Sequence, residues 1–382
     1  MVSDSEGRAT VSRLEKSQKA KKPINRGWLL AGAFLILFAG AVGVLIGGEN
    51  RSGMAFSAMG FVLICIGFFW LCQLLYFRLS LHHAIAWQRN VAHEQSRWWE
   101  DHQSLFGLQE VLLLGPSGAD MVDWQRVLSR IQRPPAERQE TGGKALRIAR
   151  TFSADSLTRE QQLVRALVMQ WRSTPRDRPL TISHCFFLGD ASVWSAFCEQ
   201  MKASFPEVHL PDQPENWQGE ATLARLATLL REDEKSQHLV VGCVSLPADA
   251  NSPLPAGESA ALWVVGADAP VVMPRGEFYD ASASEPLNLI CERAVAQCDL
   301  HDDPPACVLF SHPQITQLDE CGWNTTHNLQ DSYWGMQGSM EPLIVISLAA
   351  LFAQTEAQPC GWVSTDPQHT LALGIVKPHG KG

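Results

Sequence analysis

The side chains that could do chemistry are scattered along this sequence and not grouped. All ten cysteines are single, and no CxxC pair occurs. Zinc ribbons, thioredoxin motifs and dense disulfide scaffolds need closely spaced cysteines, so these three classes are excluded. The nearest approach to a metal or haem site is a set of histidines and tryptophans in residues 78–104: His82, His83, His93, His102, Trp87, Trp98 and Trp99. Because His83, His93 and His102 are ten and nine residues apart, and not four, we interpret this segment as an amphipathic helix beside a membrane, and we predict no metal and no cofactor.

Motifs that define common enzyme sites are also missing. The sequence contains no GxSxG elbow, Walker loop, GxGxxG, HExxH or kinase signature. Gly115–Gly118 is loop-like but lacks the lysine of a phosphate cradle, and Asp299–Asp303 is an acidic loop typical of a solvated surface. Ser311-His312 follows a predicted strand, without an identifiable partner for hydrolysis. We therefore predict no catalytic residue and a protein that is not an enzyme.

Composition and charge bound the remaining classes. The chain has 382 residues, of which 46% are hydrophobic and 19% charged, which excludes a disordered or coiled-coil protein. Its formal charge is −9, which argues against a nucleic-acid-binding surface over the whole molecule. We expect no nucleic-acid partner.

Hydrophobic residues are concentrated near the N-terminus. Residues 28–47 carry no charge, and residues 55–77 carry none either, with Gln73 and two hydroxyl side chains as polar interruptions. About 20 apolar residues match the hydrocarbon core of a bilayer, and the short connection Gly48–Gly53 forces the two segments into a hairpin. A cleaved signal peptide starts earlier and ends in an A-x-A site, which is absent here. We predict a two-helix transmembrane hairpin over residues 27–77.

The distribution of basic residues predicts the orientation of this hairpin. Residues 1–26 carry seven lysines and arginines, the connection offers Arg51 alone, and Arg78, Arg89 and Arg97 follow the second segment. The positive-inside rule then places the basic tail (residues 1–26) and everything after residue 77 in the cytoplasm. Single cysteines in the large domain agree with a reducing compartment. We expect a multi-pass protein of the inner membrane with a cytoplasmic soluble domain.

From residue 105 onwards, short apolar segments alternate with amphipathic ones. This pattern predicts an α/β sheet covered by helices on both faces, over residues 105–377. Leu163, Leu167 and Trp171 mark one helix, which we expect Thr158 to cap. No internal repeat is visible in the sequence.

Parts of this domain resemble the ketosynthase and thiolase-like families. The resemblance rests on Leu239–Leu246 followed by Pro255–Trp263, on Trp334–Ser339, and on Val363–Asp366 before the last strand. It covers roughly residues 180–377 and implies a thiolase-like layered α/β fold. In active ketosynthases a nucleophilic cysteine begins a helix, opposite two histidines or a His/Asn pair. Cys185 and Cys243 fall in predicted strands instead, so we expect the fold without its chemistry.

The whole arrangement of basic tail, membrane hairpin and non-catalytic domain resembles the type VI lipase adaptor family. That resemblance implies a protein that binds a phospholipase effector of type VI secretion and helps to load it on the secretion spike protein, while the hairpin holds it in the lipid bilayer. The alternative is a membrane-bound acyltransferase or condensing enzyme with a thiolase-like fold.

A partner needs an exposed surface with aromatic anchors, because such residues dominate interface hot spots. The segment Cys321–Met340 is rich in glycine and polar residues and also carries Trp323, Tyr333 and Trp334. We predict these three as partner-binding residues; the alternative is that they pack over the sheet edge.

Overall fold

The computed structural model describes residues 25–46, 48, 51–149, 151–175 and 179–380. The chain divides into two compact units, Met1–Trp99 and Glu100–Gly382. Residues 1–24 of the predicted basic tail lie outside the described residues, as do positions 47, 49 and 50 of the predicted hairpin connection.

The first unit is built from the apolar helix α1 (Asn25–Ile46) and most of α2 (Arg51–His102), which is apolar in its first part. The second predicted membrane segment and the predicted helix that follows it form one continuous helix of 52 residues. At 1.5 Å per residue, α2 is about 78 Å long. The helix therefore extends well beyond the length that its apolar part needs to cross a bilayer.

Small residues let α1 and the first part of α2 pack closely and antiparallel. A Cβ atom on Gly43 would lie 2.6 Å from the Cα atom of Ala55, so only glycine allows this approach. Towards the N-terminus of α1, Gly40 faces Met59, and Gly32 faces Ile66. Large apolar side chains such as Phe34 and Phe61 point outwards and are 70% exposed. A helical hairpin with an apolar outer surface results.

By length and composition, two helices of the described residues could cross a membrane. One is Ser52–His102, whose apolar window is 0% buried, and the other is Gly338–Glu356, whose window is 72% buried. The second lies inside the core of the second unit. The helix Leu30–Ile46 is apolar but shorter.

The second unit begins with the following elements: β1 (Phe106–Leu114), α3 (Met121–Leu128), β2 (Arg138–Glu140), β3 (Gly143–Ala145), α4 (Ser156–Ser173), β4 (Ile182–Leu188), α5 (Ala191–Ser204), β5 (Glu215–Asn216), α6 (Glu220–Glu232), β6 (Gln237–Ser245) and β7 (Glu258–Gly266). It continues with β8 (Val271–Met273), β9 (Glu277–Tyr279), α7 (Leu287–Gln297), β10 (Ala306–Leu309), α8 (Ile315–Glu320), β11 (Asn328–Leu329), α9 (Asp331–Trp334), a 3-10 turn (Gly338–Met340), α10 (Glu341–Glu356), β12 (Cys360–Thr365) and β13 (Leu371–Pro378).

Eleven of the described strands form one mixed sheet, in the order β11-β10-β12-β13-β8-β1-β7-β6-β4-β5, with β9 added beside β13. The sheet contains the same arrangement twice. In the half made of β1, β4, β5, β6 and β7, the first strand pairs antiparallel with the fifth, the fifth antiparallel with the fourth, the fourth parallel with the second, and the second parallel with the third. Strands β8, β10, β11, β12 and β13 repeat this pattern. The halves meet where β1 pairs antiparallel with β8. The unit is therefore a structural duplication that the sequence does not reveal.

The helices complete a layered structure. One hydrophobic cluster joins strand residues of both halves, such as Trp263 and Trp362, to α6 and α10, so these two helices lie between the halves. A second cluster packs α4 and α5 on the outer face of the first half, and a third packs α7 and α8 on the outer face of the second. The predicted α/β sheet with both faces covered is confirmed. One local prediction is wrong: α4 is capped by Asp155, whose carboxylate accepts a hydrogen bond from Thr158 N at 2.8 Å.

Candidate functional site

The predicted partner-binding aromatics are mostly core residues. Trp323 and Trp334 are both 0% exposed. Trp334 stacks on Trp124 with ring centroids 5.1 Å apart, and Trp323 belongs to the cluster around α7 and α8. The expectation that these two rings form an exposed surface is therefore wrong, because the apolar sheet offers them a better environment than water. Tyr333 is half-buried, and its hydroxyl donates to the Gln132 carbonyl at 3.1 Å.

All ten cysteines fall within the described residues, and none of them begins a helix. Four lie in strands, namely Cys185, Cys243, Cys307 and Cys360. The others are inside helices or directly after a helix end: Cys65, Cys72, Cys198, Cys291, Cys298 and Cys321. Burial raises the pKa of every thiol in the second unit, to about 12 for Cys185 and Cys298. These thiols stay protonated at neutral pH and are poor nucleophiles.

We expect mild alkylation to detect no reactive thiol in the second unit. Iodoacetamide at pH 7 should label each of its cysteines at least about tenfold more slowly than free glutathione, because each pKa is raised by burial. Peptide mass spectrometry of the full-length chain in detergent would measure the rates, with urea-unfolded protein as the control in which all thiols react. A single cysteine labelled at the rate of glutathione or faster would revive the condensing-enzyme alternative.

The helix starts that could hold a nucleophile are occupied by other residues. Helix α6 is preceded by Gly219, with φ 61° and ψ −129°, a conformation that side-chain-bearing residues rarely adopt. A Cβ atom here would also lie 2.8 Å from Asp366 Oδ1. Asp366 is held in place because its Oδ2 accepts hydrogen bonds from Gln368 N at 3.0 Å and from His369 N at 3.0 Å, and lies 2.8 Å from His369 Nδ1. A side chain at this position would strain the backbone and would require Asp366 to move.

A carboxylate lies in the first turn of each central helix, α6 and α10. Glu220, in the first turn of α6, pairs with Arg275, whose Nε donates to Oε1 at 2.6 Å. Glu341, the first residue of α10, accepts hydrogen bonds from Thr365 N at 2.7 Å and from Thr365 Oγ1 at 3.1 Å. Carboxylates are favoured at these positions by the positive end of the helix dipole. The same dipole then has less capacity to stabilise a thiolate or an oxyanion.

One histidine completes this group. His312 Nε2 lies 3.1 Å from Glu341 Oε1, close enough for an ion pair although its direction does not suit a hydrogen bond. Its neighbour Ser311 does not face it as a nucleophile would; the Ser311 hydroxyl donates to Asp331 Oδ2 at 2.9 Å. We call Gly219, His312, Glu341, Thr365, Asp366 and His369 the helix-start cluster. It contains acid–base groups, but its one hydroxyl, on Thr365, is already bound to Glu341.

The sequence identifies some segments of this cluster but does not indicate that they lie close together. Ser311-His312 and Val363–Asp366 are among the segments singled out above, whereas Gly219 and Glu341 are not. The starts of α6 and α10 are 121 positions apart in the sequence, and the adjacent residues Thr365 and Asp366 link them in the fold. A cavity of about 550 Å³ lies elsewhere, and its lining includes Gln109, Asp120 and Gln170 and no member of the cluster.

No protein-family profile matches the chain, and no curated protein matches it. Solved structures are similar to it over most of its length. An acyltransferase named ChlB3 is 12% identical, with a TM-score of 0.46, over 72% of this chain and 97% of its own. The ishigamide ketosynthase/chain length factor is 11% identical, with a TM-score of 0.48, over 72% of this chain and 100% of its own. A ketosynthase from module 1 of the bacillaene synthase of Bacillus amyloliquefaciens FZB42 is 10% identical, with a TM-score of 0.49, over 74% of each chain.

These similarities concern the mixed α/β fold alone. At such low identity they carry no activity over to this chain.

Replacing Gly219 by alanine is expected to destabilise the second unit by about 3 kcal/mol, from backbone strain and from the collision with Asp366. Gly338→Ala is a matched control, because Gly338 also has a positive φ (55°) but nothing within 4 Å of its Cβ position. It should cost about 1–2 kcal/mol. Urea unfolding followed by circular dichroism measures both. If Gly219→Ala costs no more than Gly338→Ala, the space beside Gly219 is not closed.

Proposed function

We propose that this chain is a non-catalytic binding protein anchored in the inner membrane by its N-terminal helical hairpin. The observation that carries the proposal is the state of the helix-start cluster. Active ketosynthases carry a nucleophilic cysteine at the start of a helix, whereas the central helix α6 is preceded here by Gly219, with Asp366 beside it. A cysteine thiolate there would also face a carboxylate, which opposes its ionisation.

The described thiols support the same proposal. Each cysteine of the second unit lies in a strand, inside a helix or after a helix end, and burial raises the pKa of each one. A condensing reaction needs an ionised nucleophile and a site that stabilises developing negative charge. The two central helix starts carry carboxylates instead, Glu220 in an ion pair with Arg275 and Glu341 bound to Thr365. What remains is a large folded surface suited to binding.

The hairpin supports a membrane location. Its outer surface is covered by exposed apolar side chains, among them Leu37 (71% exposed), Phe56 (74%) and Ile64 (70%). In water such a surface would aggregate, whereas lipid tails solvate it. With seven basic residues in positions 1–26, before the first apolar segment, the N-terminus and the second unit lie on the cytoplasmic side under this proposal.

Reporter fusions test the orientation. Alkaline phosphatase, which is active only in the periplasm, should stay inactive when fused after Gly382 and become active when inserted at Asn50. A cytoplasm-active reporter at the same two positions is the control and should give the opposite pattern. Periplasmic activity after Gly382 would reverse the orientation and contradict the cytoplasmic placement.

The partner follows from the resemblance to type VI lipase adaptors. We propose that the second unit binds a phospholipase effector in the cytoplasm and helps to load it on the secretion spike protein. Exported effectors are present in the cytoplasm before export, so a cytoplasmic adaptor at the inner membrane meets both proteins there. Single buried cysteines, which stay reduced in this compartment, are compatible with that location.

The decisive experiment is a pull-down with the full-length chain in mild detergent. Recovery of a phospholipase together with a spike protein would support the adaptor function. Recovery of an acyl carrier protein, or acylation of the chain by an acyl thioester, would overturn it in favour of the condensing-enzyme alternative. A chain lacking residues 1–77 should still capture the effector if the hairpin serves only as the anchor.

A further inference from the structure

Helix α2 carries a basic surface beyond its apolar part. The segment Arg78–His93 contains no acidic side chain. Four of its basic residues, Arg78, His82, Arg89 and His93, are exposed and lie four, seven and four positions apart. At 3.6 residues per turn they fall within about 60° of the helix circumference and extend over about 22 Å. We call these four residues the basic stripe.

The arginine charges of this stripe are not neutralised within the described residues. The ion pair found on this part of α2 joins Arg97 to Glu94, at 3.9 Å, beyond the stripe. No described carboxylate lies within ion-pair distance of Arg78 or Arg89. Exposed arginines without carboxylate partners attract anionic groups over roughly the Debye length, which is about 8 Å at physiological ionic strength.

The length of the stripe discriminates between two sources of anionic groups, namely lipid phosphates and an acidic segment of another protein. The polar headgroup layer on each side of a bilayer is about 5–8 Å thick. Measured along α2 from Phe77, the last residue of the apolar segment, Arg89 is about 18 Å away and His93 about 24 Å. Lipid phosphates can therefore meet Arg78 and His82, while the far half of the stripe is beyond their reach. An acidic protein segment lying along α2 can form ion pairs with Arg78 and Arg89 and accept hydrogen bonds from His82 and His93.

We propose that the basic stripe binds an acidic helix of the protein that this chain carries. The proposal rests on the adaptor function given above and deepens it by naming a contact and its chemistry. A partner helix whose carboxylates repeat at the same spacing of four, seven and four residues presents them on one face, opposite the stripe. Arginine–carboxylate pairs then fix the position of the partner beside the membrane and give its binding a strong dependence on salt.

The test uses the full-length chain in nanodiscs of phosphatidylcholine, at low salt. The probe is a fluorescein-labelled, alanine-rich helical peptide with glutamates at the stripe spacing, and fluorescence anisotropy measures its affinity. Arg89→Gln should weaken binding at least about fivefold, whereas Arg97→Gln, which removes an equal charge from the same helix, should weaken it less than twofold. Raising NaCl to 300 mM should abolish binding.

Three outcomes would overturn the proposal. The first is an equal effect of Arg89→Gln and Arg97→Gln, which would indicate a diffuse charge effect. The second is equally tight binding of a peptide with glutamines in place of the glutamates. The third is an effect of Arg89→Gln confined to binding between the chain and vesicles that contain phosphatidylserine, which would identify the stripe as a lipid-binding surface.

Effector pull-downs separate this proposal from the adaptor function. If the Arg89→Gln chain captures the effector as well as the unaltered chain does, the stripe proposal fails while the adaptor function stands. If the unaltered chain captures no effector yet binds the glutamate peptide with the expected dependence on Arg89, the adaptor function fails and the stripe retains its affinity for acidic helices.

Discussion

Replacing Arg159 by methionine should lower the free energy of unfolding of the second unit by about 3–5 kcal/mol. The Arg159 guanidinium donates to Glu258 from Nε at 3.0 Å and from Nη2 at 2.7 Å. Glu258 is 0% exposed and also accepts hydrogen bonds from Ile148 N and Thr151 Oγ1. Methionine preserves most of the side-chain volume, so the loss measures the cost of leaving a buried carboxylate without its cation.

The same helix provides the control. Arg165 of α4 pairs with Glu199 at 3.5 Å, and the two side chains are 43% and 73% exposed. Arg165→Met should therefore change the stability by less than about 1 kcal/mol. In the double variant Arg159→Met/Glu258→Leu, the unpaired charge is gone and part of the stability should return. Equal effects of Arg159→Met and Arg165→Met in urea unfolding would show that the buried pair contributes no more than a surface pair.

This ion pair also shows a limit of prediction from the sequence, because local patterns do not reveal contacts between distant residues. The apolar periodicity of α4 predicts its buried face correctly, since Leu163, Leu167 and Trp171 are all 0% exposed. The periodicity treats Arg159 as a polar surface residue, although its side chain is 8% exposed. Its partner lies 99 positions further on, in β7. A local pattern contains no information about a partner at that distance.

The layered fold was predictable in outline because apolar strands and amphipathic helices alternate along the chain. The duplication was not, because its two halves share the order and direction of their strands and not their residues. The third strand of each half has two residues, Glu215–Asn216 in one and Asn328–Leu329 in the other. Such short strands leave no hydrophobic alternation to detect.

Little of the candidate site was predictable from the sequence. The strand positions of Cys185 and Cys243 were predicted, and the structure confirms them. The occupation of the helix start by Gly219 and Asp366 needs three-dimensional information. Glycine before a helix is common for reasons of backbone conformation alone. Only the distance to Asp366 distinguishes a closed position from an ordinary helix cap.

The aromatic residues of Cys321–Met340 show how a local pattern can predict exposure wrongly. Glycines and polar residues around Trp323 and Trp334 indicate a loop, and a loop predicts exposure. In the structure, the chain at Gly115 and at Gly361 gives these rings room to lie against the strand ends, because a Cβ atom at either glycine would come into close contact with an indole ring. Glycine in a neighbouring strand can thus signal a buried tryptophan elsewhere in the sequence.

Alanine at Trp323 or at Trp334 should accordingly cost about 3–5 kcal/mol of stability, as expected for a large ring removed from a core. Loss of near-ultraviolet circular dichroism and a lower urea midpoint would accompany any loss of effector binding. Tyr333→Phe, which removes one half-buried hydrogen bond, should cost about 1 kcal/mol and leave the domain folded. A folded Trp323→Ala variant of normal stability that no longer captures the effector would return this ring to the binding surface.

Phenylalanine substitutions separate packing from hydrogen bonding at the same two positions. Trp334 Nε1 donates to Gln330 Oε1 at 3.2 Å, so Trp334→Phe leaves a buried acceptor unpaired and should cost about 2–3 kcal/mol. Trp323 Nε1 is buried without a partner, so Trp323→Phe removes an unsatisfied donor together with part of the ring and should cost about 1 kcal/mol or less. Urea unfolding of both variants under the same conditions measures the difference. Equal costs would mean that the indole N–H groups do not contribute and that ring volume alone determines how much each tryptophan stabilises the core.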